Sequence, residues 1–200
     1  MVHATQAALA AGAPLVQVRC KEVTDRDRYH HSSRLQRLCR EAGAVCLVND
    51  RVDLALAVGA DGVHVGDDDL PVAVARRLLG WGMVGATCRD ADSARRAVDG
   101  GATYLGVGPA YTTATKAGLP PPLGPRGIEA VASAVDVPVI AIAGVTAQRV
   151  RELRSAGAWG VAVVGAVYSA ADPGEAVRQL LDALGEDVPE VPEAPGEAAG

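Results

Sequence analysis

Short β-branched runs alternate with amphipathic stretches along most of the chain, and several amphipathic stretches end on one signal. A glycine and an alanine lead directly into the next apolar run, as in GADGVHV, GATYLGV and GAWGVAVV. A parallel sheet writes this pattern into a sequence, because a helix must carry the chain back to the start of each new strand. The pattern predicts strands at Leu15–Arg19, Val45–Val48, Gly62–Val65, Val84–Thr87, Tyr104–Val107, Val139–Ile142 and Val161–Val164. Helices are expected at Val2–Ala11, Asp25–Ala42, Val52–Val58, Pro71–Leu79, Ala91–Gly100, Arg126–Ala134, Ala147–Ala156 and Pro173–Leu184. Gly43, Gly59, Gly101 and Gly157 stand where a left-handed residue would end a helix ahead of a strand.

Even spacing of the βα units, with no second subdomain, favours a closed barrel over a doubly wound sheet. A barrel of this kind needs about eight strands, and no strand precedes the opening helix. The expected fold is therefore an α/β, TIM (β/α)8-type barrel apparently lacking its first β-strand. Residues 1–185 are expected to form one barrel domain. The ending EDVPEVPEAPGEAAG, residues 186–200, is rich in Pro and Glu and reads as a disordered tail.

Composition removes several function classes. With no Phe, 3% aromatic residues and a net charge of -5, the chain offers neither stacking platforms nor a basic surface for nucleic acid. Cys20, Cys39, Cys46 and Cys88 form no C-x-x-C pair and read as reduced thiols rather than as a zinc site or a disulfide framework. No apolar run reaches the ~18 residues of a membrane span and no leader pattern opens the chain, so the cytoplasm is the expected compartment.

In a barrel the functional groups gather just after the strands, where the βα loops open on one face. In VQVRCK, the residues Gln17, Arg19 and Lys21 alternate along one side of an extended segment and can converge on a ligand; a solvated strand end is the alternative. VNDRVD places Asn49 and Asp50 after one strand, and VHVGDDDLP places Asp69 after the next. A carboxylate from each of two neighbouring loops is a common way to hold Mg²⁺ beside a phosphorylated substrate, so Asp50 and Asp69 are candidate metal ligands. The competing reading makes Asp67, Asp68 and Asp69 caps for the helix near Pro71. His64 is a candidate ligand too, although a hydrogen-bonded barrel histidine is the commoner case. The long connection GVGPAYTTATKAGLPPPLGPRG carries Thr113, Thr115 and Lys116 as donors to a phosphorylated ligand. Gly144 and Gly165, at the ends of the last two strands, leave backbone N–H groups open to a phosphate.

Taken together, VQVRCK, VNDRVDLALAVGADGVHVGDDDLP, GVGPAYTTATKAG with PPLGPRG, and VPVIAIAGV with GAWGVAVV resemble thiamine-phosphate synthase, in order and in spacing, from about Leu9 to Leu184. The resemblance implies that Gln17, Arg19, Lys21 and Asn49 hold an aminopyrimidine diphosphate, with Thr87 and Lys116 on its diphosphate. It implies that Asp50 and Asp69 bind Mg²⁺. It also implies that Thr113 and Thr115 meet a thiazole phosphate whose phosphate lies against Gly144, Val164 and Gly165. The implied catalytic residues are Arg19, Lys21, Thr87 and Lys116. The implied reaction begins with loss of pyrophosphate to leave a pyrimidine-methyl cation, which the thiazole nitrogen then attacks.

The chain departs from the family pattern at three positions near these sites. Thr87 stands in place of Ser, Ala143 in place of the first glycine of a Gly-Gly pair, and Gly165 in place of Ser. The last exchange removes a hydroxyl worth about 1 kcal/mol as an ordinary hydrogen bond. Alternative readings are a thiazole tautomerase paralogue, which typically lacks the second Asp and the Thr-x-Thr-Lys pattern and has a histidine where this chain has Arg89, a Schiff-base lyase using Lys21 or Lys116, and a non-catalytic phosphate-binding barrel. Small phosphorylated molecules are the expected partners, and a homo-oligomer is left open.

Overall fold

A computed structural model describes residues 2–113, 115 and 118–185. The strands are β1 (Leu15–Val18), β2 (Val45–Asn49), β3 (Gly62–Val65), β4 (Met83–Cys88), β5 (Tyr104–Val107), β6 (Val139–Ile142) and β7 (Gly160–Ala162). The helices are α1 (Val2–Ala10), α2 (Asp25–Ala42), α3 (Val52–Val58), α4 (Val72–Leu79), α5 (Ala91–Asp99), α6 (Gly124–Ala132), α7 (Ala147–Ser155), α8 (Gly165–Tyr168) and α9 (Pro173–Leu184). The strands form one 7-stranded sheet in sequence order, and every neighbouring pair is parallel.

The sheet curls. Tyr104 of β5 packs in one buried cluster with Leu47 of β2 and Met83 of β4, against Leu15 of β1 and Ile140 of β6. Strands that far apart in the order can share a cluster only if their inner faces turn toward one another. The outer faces, carrying Val48, Val63, Val65, Leu105, Val107 and Ala141, are buried under the helices. This two-layer arrangement is the expected α/β barrel lacking a strand: among the described residues β1 and β7 pair only with β2 and β6.

Local chemistry explains the boundaries. Gly43, Gly59, Gly101 and Gly157 all have positive φ, as expected of helix stops. Thr24 accepts from the Asp27 N–H at the start of α2, and Asp90 forms a reciprocal capping box with Ser93 at the start of α5. The sequence reading differs mainly at the end of the sheet. The last strand is Gly160–Ala162 rather than Val161–Val164, because the chain turns at Val164 into α8, a helix of one turn that is too short to show periodicity. At α4 the proline is the cap and Val72 the first helical residue, and α6 starts at Gly124, before the expected Arg126. The expected tail, residues 186–200, lies outside the described residues, as does Lys116.

Candidate active site

The C-terminal ends of β1, β2 and β3 bring the first charged cluster together. Lys21 follows β1, and its ammonium lies 3.4 Å from an oxygen of Asp50, which follows β2. Asp50 sits at φ 65°, a left-handed conformation that aspartate tolerates better than most residues, and its N–H donates to the His64 carbonyl at 2.8 Å. That turn aims its carboxylate at Asp69, in the loop after β3. Burial raises the Asp50 carboxyl above its usual range, and the facing Asp69 carboxylate raises it further, while Lys21 opposes both.

Asp69 turns back on its own loop to accept the Gly66 N–H at 2.8 Å. The capping alternative fails for all three aspartates, because Pro71 is the cap residue of α4 and no side chain bonds that helix start. Two carboxylates facing each other with one ammonium leave local negative charge uncompensated. A hard divalent cation fits there, since Mg²⁺ keeps most of its waters and needs few protein oxygens. No cluster of three or more His, Cys, Asp or Glu side chains is present among the described residues.

The cluster opens on a cavity of about 470 Å³ lined by Lys21, Asn49, Asp50, Asp69, Arg28 and Ser32, among others. Gln17 and Arg19, on either side of the buried Val18, are exposed at the same end of β1. Lys21 is 54% exposed and paired with a carboxylate, the opposite of the buried, uncharged amine that Schiff-base chemistry needs.

Thr87, near the end of β4, contacts the Nε2 of His64 at 3.0 Å. His64 is itself buried and bonded through Nδ1 to the Tyr104 hydroxyl at 2.8 Å, so it is the hydrogen-bonded barrel histidine. Burial presses its pKa down to about 4, and the Asp69 charge only partly offsets this.

The second half of the barrel mouth is built by three loops that grip one another. The Ala110 N–H donates to the Ile142 carbonyl at 2.8 Å and the Tyr111 N–H to the Ala143 carbonyl at 3.1 Å, which joins the loop after β5 to the one after β6. Thr113 donates to the Thr115 hydroxyl at 3.2 Å. A Cβ placed on Gly165 would lie 3.4 Å from the Thr115 Oγ1, so the threonine loop also reaches the turn after β7. Val164, in that turn, is 54% exposed. The fold thus gathers Thr113, Thr115, Gly144, Val164 and Gly165 on one side, and Gln17, Arg19, Lys21, Asn49, Asp50, Asp69 and Thr87 on the other.

Sequence reasoning missed the groups that hold this second half in place. Arg89 spans from β4 to the long connection, donating to the carbonyls of Gly108 and Pro121 at 3.3 and 2.9 Å. Arg149 of α7 donates to the Gly144 carbonyl at 2.7 Å and stacks over the Tyr111 ring, whose hydroxyl donates to Glu152. Neither arginine belongs to a local motif; only their distance from the strand ends along the chain could have suggested them.

Comparison with known proteins finds close relatives over most of the chain. The family model for thiamine monophosphate synthase matches residues 1–167. The thiamine-phosphate synthase of Salinispora arenicola is 58% identical over 85% of this chain and 83% of its own length. That of Salinispora tropica is 55% identical over 90% and 88%. Among solved structures, the thiamine phosphate pyrophosphorylase of Pyrococcus furiosus superposes with a TM-score of 0.85 at 35% identity, covering 92% of this chain and 88% of that one. A 3-hexulose-6-phosphate synthase shares the fold alone, at 20% identity and a TM-score of 0.67. With matches of this identity and coverage, the chain belongs to the thiamine monophosphate synthase family, enzymes of thiamine biosynthesis.

Proposed function

We propose that this synthase joins 4-amino-2-methyl-5-hydroxymethylpyrimidine diphosphate to 4-methyl-5-(2-hydroxyethyl)thiazole phosphate, giving thiamine phosphate and pyrophosphate, with Mg²⁺ held by Asp50 and Asp69. The observation that carries the proposal is the pair of facing carboxylates beside Lys21 at the barrel mouth, where burial and mutual repulsion raise the Asp50 carboxyl. A bound divalent cation would supply the positive charge that steadies the departing pyrophosphate.

The reacting carbon is the methylene of the pyrimidine. Its C–O bond to the diphosphate breaks and the electron pair leaves with pyrophosphate; the thiazole nitrogen then gives its lone pair to the same carbon and forms the C–N bond. No proton leaves the reacting atoms in either step, so no general base is required. The chain must instead stabilise charge on the leaving group and align the second substrate. Arg19, Lys21 and Lys116 supply cations to the diphosphate, and Thr87 supplies a hydroxyl. Gln17 and Asn49 orient the aminopyrimidine. Thr113 and Thr115 meet the thiazole phosphate, and the backbones at Gly144, Val164 and Gly165 receive its phosphate.

The test is an assay for thiamine phosphate and pyrophosphate from the two substrates, with and without Mg²⁺, on this chain and on Asp69→Ala. Turnover that needs Mg²⁺ and collapses in the variant supports the reading. An active protein indifferent to both would overturn the metal assignment, and an inert parent would overturn the substrate assignment.

A further inference from the structure

Three polar side chains from three strands form a line inside the barrel, beneath its mouth. His64 of β3 contacts Tyr104 of β5 through Nδ1 at 2.8 Å and Thr87 of β4 through Nε2 at 3.0 Å. Gln17 of β1 stands near the Tyr104 hydroxyl and acts against the burial that raises its pKa. His64 is 8% exposed and Tyr104 7%, whereas Thr87 at the other end is half-buried near the mouth.

Space for this line has been cleared in the sheet. A Cβ at Gly85 would overlap the Tyr104 ring, and one at Gly106 would stand 3.0 Å from the His64 Cε1. Gly85 is registered with His64 on one side and with Tyr104 on the other, and Gly106 with Thr87. Two glycines in adjacent central strands weaken a sheet unless something occupies their volume, and here two polar rings do so.

The donor inventory makes such a line directional. A neutral imidazole has one N–H and one acceptor nitrogen, and a phenol has one O–H. Only two polarities satisfy every bond. In one, Tyr104 donates to Nδ1 and Nε2–H donates to Thr87, whose own proton is left to point into the mouth. In the other every proton is reversed, and Thr87 offers the mouth only an acceptor. The hydroxyl beside a diphosphate must donate, which selects the first polarity.

We propose that Tyr104 and His64 are positioning residues of a one-way relay, Tyr104 to His64 to Thr87, which presents the Thr87 proton to the diphosphate of the substrate. The inference rests on the substrate assignment given above and adds the internal device that orients one of its contacts.

The first test reads the relay without any turnover. Nitrogen-15 NMR of the ring of His64 in the intact protein at pH 7 should show the Nε2–H tautomer alone, and Tyr104→Phe should abolish that preference. A resident Nδ1–H tautomer overturns the proposal. The second test is a double-mutant cycle with the kinetics of the full reaction. Tyr104→Phe should lower kcat about tenfold in the parent and less than about twofold in a Thr87→Ala background, because it acts through Thr87. An undiminished effect in that background marks a merely structural tyrosine and overturns the proposal. An inert parent would overturn the substrate assignment alone, with the tautomer still deciding the relay.

Discussion

Arg149 lies with its guanidinium carbon 4.1 Å from the centre of the Tyr111 ring and donates past it to the Gly144 carbonyl at 2.7 Å. One side chain of α7 therefore pins the loop after β5 to the glycine after β6. Because Glu152 of the same helix accepts the Tyr111 hydroxyl, the tyrosine is held at both ends. Arg149→Ala is expected to raise the KM for the thiazole phosphate about tenfold, the effect of losing a contact worth 1–2 kcal/mol. The KM for the pyrimidine diphosphate should move less than twofold. Steady-state kinetics with each substrate varied in turn checks this; equal changes in both would deny the clamp a selective role.

Gly144 tolerates no side chain. Its φ is 70°, and a Cβ would come within 2.6 Å of the Tyr111 carbonyl and 2.7 Å of the Thr112 carbonyl. Both oxygens are backbone and cannot swing aside. Gly144→Ala should cost about 3 kcal/mol or more in urea unfolding and should remove thiazole-phosphate binding.

The preceding position behaves in the opposite way. Ala143 holds φ 63°, a left-handed conformation in which its methyl group is strained. Ala143→Gly should stabilise the protein by about 0.5–1 kcal/mol, less than the strain removed because glycine also frees the unfolded chain. A fall in unfolding free energy would show that the methyl packs favourably.

Asp69 does two things at once, and one substitution separates them. Asp69→Asn keeps an oxygen for the Gly66 N–H, now 2.8 Å away, and removes the charge facing Asp50. The variant should melt close to the parent while turnover falls about 100-fold or more, the scale of losing a ligand to the ion that balances the leaving group. A Mg²⁺ titration of both proteins should show a weaker apparent affinity in the variant.

His64 gives the protein one source of acid sensitivity with a clear sign. Its folded pKa is about 4 against 6.5 for a free imidazole. Between those values the unfolded chain binds a proton that the folded protein refuses, so the native state loses stability as the pH falls through that window. Above it the group contributes no pH dependence. The loss from this residue should be about 2 kcal/mol between pH 7 and pH 5. His64→Asn should show a shallower slope by that amount in urea unfolding, even though it is less stable at pH 7. Parallel slopes would mean that the imidazole is not neutral in the folded state.

Much of the fold was legible because it is local. The strands at Gly62–Val65, Tyr104–Val107 and Val139–Ile142 and the helices at Asp25–Ala42, Val52–Val58 and Pro173–Leu184 match the sequence reading residue for residue. Each is bounded by a glycine, a proline or a capping side chain that acts on its own few neighbours. The carboxylates were legible for a related reason: in a parallel barrel, position just after a strand already states which face a residue joins, so Asp50 and Asp69 could be paired before any distance was known. Alpha-8 was not, since four residues carry no period, and its presence cuts the last strand short at Ala162.

Only the tertiary structure decided how the groups at the mouth are held. His64 and Tyr104 lie 40 residues apart and meet because β3 and β5 flank β4, whose Gly85 leaves room for the Tyr104 ring while Gly106 of β5 leaves room for the imidazole. Arg149 and Tyr111 meet because neighbouring loops of a curled sheet converge at its mouth. The sequence alone determined the elements, their order and the carboxylate pair, since these depend on periodicity and on near neighbours. Register and curl determined the partners of those side chains, because such contacts depend on volumes and angles that no local stretch encodes.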